Sequence, residues 1–198
     1  MNGKTIAITG GICIGVGLLI GLFHKQITSM IADVYKIYIK SNVAEFLQKT
    51  EEIAQKLSIH PNWLLAVMTI ESGINHQVVN PNGGATGLIQ FMPDTAVGMG
   101  TSTAALKNMT NVQQLDYVYK YLLPFKGKMT RFVDVYFAVF FPLAIGKPDT
   151  WVFETQKLSR AKIAAANPLF DTNKDGMLTV YEVREAMTSI ARKKGLVI

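Results

Sequence analysis

The chain opens on an unbroken apolar stretch that nothing later repeats. From Thr5 to Phe23 the residues TIAITGGICIGVGLLIGLF carry no charge over 19 positions. At 1.5 Å of rise per residue, a helix of that length crosses a hydrocarbon core of about 30 Å. The pattern predicts a transmembrane anchor over residues 1–26, with the bilayer as partner of residues 5–23. A cleaved secretory leader would need a shorter apolar stretch and a small-x-small cleavage site, and the following HKQITSMIADVYK offers none. Gly11 with Gly15, and Gly17 with Gly21, form small-xxx-small pairs that suit a membrane-helix partner, though such glycines also occur in spanning helices without one. Lys4 on one side, against Lys25, Lys36 and Lys40 on the other, does not set the orientation.

Beyond the anchor the period becomes helical. Ile27, Met30, Ile31, Val34 and Tyr38, then Phe46, Leu47, Ile53 and Leu57, recur with Lys and Glu between them. Residues 27–57 therefore read as a helical stalk or as the first helices of a globular part, with a break at Ser41-Asn42. His60-Pro61-Asn62-Trp63 reads as a helix start, because Pro61 in the first turn gives up an N–H that would have no partner there. Trp63, Ala66, Val67 and Ile70 form its apolar stripe, and Gly73 closes it where a positive φ is wanted. Residues 74–87 are turn-rich around Asn80-Pro81-Asn82-Gly83-Gly84, and Leu88 to Met92 is a short apolar element ended by Pro93. More helices are expected around 94–98, 111–123 and 130–145. The run FVDVYFAVFFPLAI, 132–145, is too short for a second membrane span and is interrupted by Asp134 and Pro142, so it reads as a buried core helix. Strand-like alternation is scarce, and the expected fold class is mostly α.

Length and composition add limits. A chain of 198 residues accommodates one ordinary domain with an appendage. The formal charge of +6 would favour an acidic partner, but the basic residues are scattered and only Arg192-Lys193-Lys194 is compact. Without aromatic-basic interleaving or a reading motif, that cluster reads as a solvated tail and no nucleic-acid partner is expected. Cys13 is the single cysteine, so no intrachain disulfide forms.

One acid stands out in TIESGINHQVVNPNGGATGLIQFMP, residues 69–93. Met68, Val67 and Leu64 lie three, four and seven positions before Glu71, so its side chain emerges beside an apolar column in the last turn of its helix. Desolvation and the negative end of the helix dipole both favour the protonated carboxyl. Such an acid can protonate the leaving oxygen of a glycosidic bond. The plainer alternative is an exposed glutamate at a helix end. Beyond the glycine-rich turn, Gln90 returns one amide among apolar residues, and an amide offers a donor and an acceptor together, as a sugar acetamido group requires.

These residues carry a resemblance. Glu71-Ser72-Gly73, then Gly84-Ala85-Thr86-Gly87-Leu88-Ile89-Gln90-Phe91-Met92-Pro93 and Thr95-Ala96, resemble the lysozyme-like soluble lytic transglycosylase family, especially its versions in bacteriophage virion proteins. The resemblance covers roughly residues 58–145. It implies a lysozyme-like α domain over 58–150, peptidoglycan as partner and Glu71 as the acid that later acts as base. It also implies that Gln90 and Met92 hold the glycan. Asn80 stands near the place of a family serine, with one extra residue in the turn. The family's alanine-tyrosine-asparagine-alanine-glycine signature is absent as such; Asp134-Val135-Tyr136-Phe137-Ala138 supplies a tyrosine and no asparagine. Tyr136 is thus either an assistant to Glu71 or a core aromatic.

Ordinary glycosidases use two carboxylates about 5 to 10 Å apart. The nearest sequence candidate here, Asp94, reads equally well as a helix N-cap. With one acid, the family's lyase chemistry would break the bond between N-acetylmuramic acid and N-acetylglucosamine and leave a 1,6-anhydro product without metal. Hydrolysis by the same glutamate stays open.

A second motif lies in residues 151–198, a helical C-terminal segment. DTNKDGMLTVYE, 171–182, fits the calcium-loop pattern D-x-[DN]-x-[DN]-G-x5-E over its whole length. Asp171, Asn173, Asp175, the Met177 carbonyl, Thr179 and Glu182 would supply the oxygens that calcium needs, and a lone loop suits a structural ion. Pro168 discourages a helix running into the loop, while a helix from Val180 to about Arg192 leaves it. The combined expectation is a membrane-anchored murein-degrading enzyme with bound Ca2+, in a virion's internal membrane or a bacterial envelope. The competing class is a non-enzymatic virion structural or peptidoglycan-binding protein with a degenerate lysozyme-like fold.

Overall fold

The computed structural model of the chain describes residues 34–198. The expected anchor, with Cys13 and the glycine pairs, lies outside them. Among the described residues, no helix is long and apolar enough to cross a membrane.

Helix α1, Val43–Leu57, leaves Asn42 in the left-handed region and buries Phe46, Thr50, Ile53, Ala54 and Leu57, one face at helical spacing. That face packs against α2, Pro61–Ser72, and α5, Asn111–Leu122, so residues 43–57 are a helix of the body and not a free stalk. Helix α2 starts as its sequence predicts: Pro61 occupies the first turn and the Asn62 N–H donates to His60 Nδ1 at 3.2 Å. Burial is not confined to a stripe, since every residue from Leu64 to Thr69 is buried. Thr69 survives there because its hydroxyl donates to the Leu65 carbonyl at 2.7 Å. Helix α2 is therefore central, and it also packs against α6, Phe132–Phe140, and α8, Val180–Lys193.

Four local differences from the expected elements have physical reasons. Leu88 to Gln90 form a turn bracketed by the isolated bridges Val79↔Thr86 and Thr86↔Phe91, because Gly87 and Gln90 both take positive φ. Helix α3, Pro93–Gly98, has Met92 as its N-cap, so Asp94 stands exposed in the first turn and does not cap it. The helix expected over 130–145 stops at Phe140, then a 3-10 turn runs over Pro142–Ala144; Pro142 cannot donate to the helix and forces Phe141 out of it. Two short helices carry too little periodicity to be read: α4, Thr103–Asn108, capped by Ser102 Oγ accepting from the Ala105 N–H, and α7, Arg160–Ala166.

Asp134 fixes the start of α6. It is fully buried and accepts from the N–H groups of Thr130, Arg131 and Gly146 at 3.2, 3.0 and 3.1 Å, and from the Arg131 guanidinium at 2.9 Å. Burial pushes its carboxyl up, but the Arg131 hydrogen bond, the Gly146 N–H and the Arg131 charge outweigh it and hold the group below the usual carboxylate range. The C-terminal segment is packed into the same body: Val180, Val183, Met187 and Ala191 of α8 are buried, and Phe153 is fully enclosed against Phe137, Phe140 and Phe141 of the α6 region.

Candidate active site

Glu71 sits one residue before the end of α2, and Leu64, Val67 and Met68 beneath it are all fully buried. The residue as a whole is partly open to solvent, yet burial around its carboxyl pushes it up from 4.5 to about 7. Desolvation accounts for the rise, and among the described residues no second carboxylate contributes to it. The helix ends at once because Gly73, at φ 63°, returns its N–H to the Thr69 carbonyl.

Ser72 then joins the helix end to the glycine turn. Its Oγ lies 2.9 Å from the Leu88 carbonyl and 3.0 Å from the Met68 carbonyl, one hydroxyl proton serving two acceptors. From the other side, Gln114 of α5 enters the turn. Its Oε1 accepts the Leu88 N–H at 3.0 Å while its Nε2 donates to the carbonyls of His76 and Leu106, both at 2.6 Å. Gly87 is required here twice over: its φ is 80°, and a Cβ would stand 2.9 Å from the Gln114 amide carbon.

This clamp presents Gln90. Held at φ 53°, it donates one amide N–H to the Gly87 carbonyl at 3.1 Å, so part of its hydrogen bonding shapes the turn. Ile89, Gln90, Phe91, Met92 and Thr95, with Tyr121 and Val139, line a hollow of about 40 Å³. Met92 is 51% exposed, and its methyl end lies over Gly83 of the neighbouring turn. Asn80 is exposed on that turn and its Oδ1 accepts the Asn82 N–H at 2.9 Å. A larger concavity of about 570 Å³ lies between Leu169, Phe170 and α8, and neither Glu71, Asn80, Gln90, Met92 nor Tyr136 lines it.

Tyr136 of α6 is buried, stacks on Phe140 at 5.5 Å and lies near enough to Glu71 to feel its charge. Burial first, and the Glu71 charge second, raise its phenol. Tyr121 of α5 is a second tyrosine in the same position electrostatically: burial and then Glu71 raise it, and its hydroxyl donates to the Ala138 carbonyl at 2.9 Å. Sequence reasoning missed Tyr121 and Gln114. Tyr117, Tyr119 and Tyr121 alternate in one helix, and only the docking of α5 singles out the last.

None of residues 171–182 lines the hollow beside Gln90 and Met92, and their loop is held by hydrogen bonds of its own. Asp171 accepts the N–H groups of Asp175 and Gly176, each at 3.1 Å, and Asn173 Oδ1 accepts the Asp175 N–H at 3.0 Å. Asp175 Oδ1 accepts the Met177 N–H at 2.9 Å. Thr179 caps α8, with Glu182 Oε2 accepting its N–H at 2.9 Å and its hydroxyl at 2.7 Å. Among the described residues, no three His, Cys, Asp or Glu side chains are gathered closely enough to hold a metal by themselves. Helix α7 ends at Ala166, before Pro168, so no helix runs into the loop.

The helical body thus presents one partly open acid, its carboxyl pushed up by burial, beside a glycine turn clamped by Ser72 and Gln114. Residues 48–122 match the family model described as the transglycosylase SLT domain. The match implies a glycosidase-type enzyme of the lytic transglycosylase kind, with peptidoglycan as substrate. It runs from within α1 to the end of α5, so it includes Glu71, Asn80, Gln90, Met92, Gln114 and Tyr121 and leaves out Tyr136 and residues 171–182. No curated protein matches the chain.

Proposed function

We propose that the protein cleaves the peptidoglycan glycan strand between N-acetylmuramic acid and N-acetylglucosamine, with Glu71 as general acid and then base. The observation that carries this reading is the carboxyl held up to about 7 by burial, beside the Gln90 turn and two tyrosines. Protonated Glu71 gives its proton to the glycosidic oxygen as the bond to the sugar C1 breaks, and the neighbouring acetamido oxygen supports C1 from the other side. The Glu71 carboxylate then takes the proton of the 6-hydroxyl while O6 bonds to C1. The product is a 1,6-anhydro sugar, no water is consumed, and Glu71 is restored to its acid form. Gln90 and Met92 line the glycan groove, Asn80 borders it, and Tyr121 and Tyr136 exclude water from the carboxyl.

The apolar run of residues 5–23 anchors this domain in a bilayer, either a virion's internal membrane or a cell envelope. That keeps the enzyme beside the wall it opens.

Digestion of purified peptidoglycan by the wild type and by Glu71→Gln, with products analysed by mass, tests the assignment. Anhydro-muropeptides from the wild type and at least about a thousandfold less from the variant are expected. Reducing ends would mean hydrolysis, and equal activity in the two proteins would remove Glu71 as the catalyst.

A further inference from the structure

We propose that residues 171–182 bind one calcium ion and that the ion, acting through Phe170, positions Tyr136 beside Glu71. The proposal rests on the reading of Glu71 as the acid, but its metal site stands on separate observations. Glu182 is 5% exposed, and only one of its carboxylate oxygens is satisfied. Oε2 is held by the N–H and hydroxyl of Thr179, whereas Oε1 is buried without a hydrogen-bond partner. A buried, unpartnered carboxylate oxygen is costly unless a proton donor or a cation meets it. The bonds from Oε2 to Thr179 set this carboxylate over the closing half of the loop, where the pattern places a bidentate glutamate.

The other donors are mixed. Asp171, Asn173 and Asp175 offer side-chain oxygens, Met177 a backbone carbonyl and Thr179 a hydroxyl, all suited to a hard divalent cation with flexible coordination. Gly176 at φ 75° and Lys174 at φ 59° turn the backbone so that these residues share one loop. An ion that ligates both ends would tie Asp171 and Glu182 to one centre.

Both ends of the loop are braced on the α6 aromatics. Phe170, next to Asp171, meets the Tyr136 ring edge-on at 6.3 Å and the Phe140 ring at 5.4 Å. Near the closing end, Leu178 is fully buried, its carbonyl accepts the Phe153 N–H at 2.9 Å, and the Phe153 ring packs on Phe137 at 5.6 Å and Phe140 at 5.9 Å. An ion that fixes the loop therefore acts on α6 from two sides. Its nearest consequence for the chemistry is the position of Tyr136. Phe170 is a positioning residue in this scheme, since it touches neither substrate nor Glu71.

The test uses the full chain in detergent, freed of metal by a chelator, with calcium titrated by calorimetry and kcat and KM measured separately on soluble glycan fragments. One calcium site is expected, weakened roughly tenfold or more in Glu182→Gln. Calcium should raise kcat roughly tenfold or more while KM changes little, since the Gln90 groove is built by other elements. In Phe170→Ala, calcium should bind as before without raising kcat, and Phe170→Tyr should restore the response. A thermal melt of each variant establishes that it is folded. Absence of calcium binding would overturn the site. Binding with an unchanged wild-type kcat, or an undiminished response in Phe170→Ala, would overturn the coupling. Intact binding with no glycan cleavage under any condition would instead overturn the reading of Glu71, and the coupling with it, while leaving the metal site in place.

Discussion

Glu71 holds its proton more tightly in the folded protein than in the unfolded chain. Its carboxyl rises from 4.5 to about 7 on burial, so folding takes up a proton between those values. This group's contribution is therefore most favourable below pH 4.5 and is lost as pH rises toward 7. At about 1.4 kcal/mol per unit the swing is at most about 3.5 kcal/mol, and less to the extent that the residue is open to solvent. Glu71→Gln should therefore melt higher than the wild type at pH 8 and level with it at pH 4; a difference that did not vary with pH would contradict the burial account. In the wild type, kcat/KM should fall about tenfold per pH unit above roughly 7 as the acid form is lost. The acid itself was legible in the sequence, because three apolar residues at helical spacing place it beside a buried column. Tyr121 was not legible, since its relation to Glu71 exists only once α5 has docked.

The glycine turn behaves as a third partner of α2 and α5 and not as a loop laid over them. Ser72 holds it from one helix end and Gln114 from the other helix, through bonds to Leu88 on both sides. Gly87→Ala must both adopt φ 80° and displace the Gln114 amide, for an expected loss of about 2 to 4 kcal/mol read from urea denaturation. Gln114→Ala takes from the Leu88 N–H and the His76 carbonyl the hydrogen bonds that Gln114 gives them and should cost about as much. A change of less than about 0.5 kcal/mol in either variant would show that the turn is not clamped in this way. At this scale the sequence revealed where helices begin better than what joins them. Pro61 and Gly73 mark the limits of α2 by local chemistry alone. The run from Leu88 to Met92 looked like an element because it is apolar, but its backbone is set by two positive-φ residues and by a glutamine distant in the chain.

Across the molecule, a row of charges, buried at Asp134 and open to solvent at Asp149, ties the α6 start to the C-terminal helix. Arg131 bridges fully buried Asp134, and Asp149 stands between Arg131 and Arg184 at 4.0 and 2.9 Å. Asp134→Ala should cost about 3 to 5 kcal/mol, whereas Asp149→Asn, on the surface, should cost under about 1 kcal/mol; similar melting losses in the two would refute that ranking. Since the Asp134 carboxyl is held below its ordinary range, its contribution is in place above the usual carboxylate pKa and is lost as pH falls through the lowered value. The class of the fold was readable from periodicity, but the packing of residues 151–198 into the body was not. Phe153 and Phe170 gain their meaning from rings on α6 that spacing alone does not pair with them. The last contact of that segment reaches furthest: Tyr35 is fully buried and its hydroxyl donates to the Val197 carbonyl at 2.7 Å. The same hydroxyl lies 3.3 Å from the Asn62 carbonyl, so a pull transmitted along the chain ahead of Val34 loads the C-terminal tail and the first turn of α2 together, and the first event under tension would be the opening of that clasp, with Glu71 and its turn still intact.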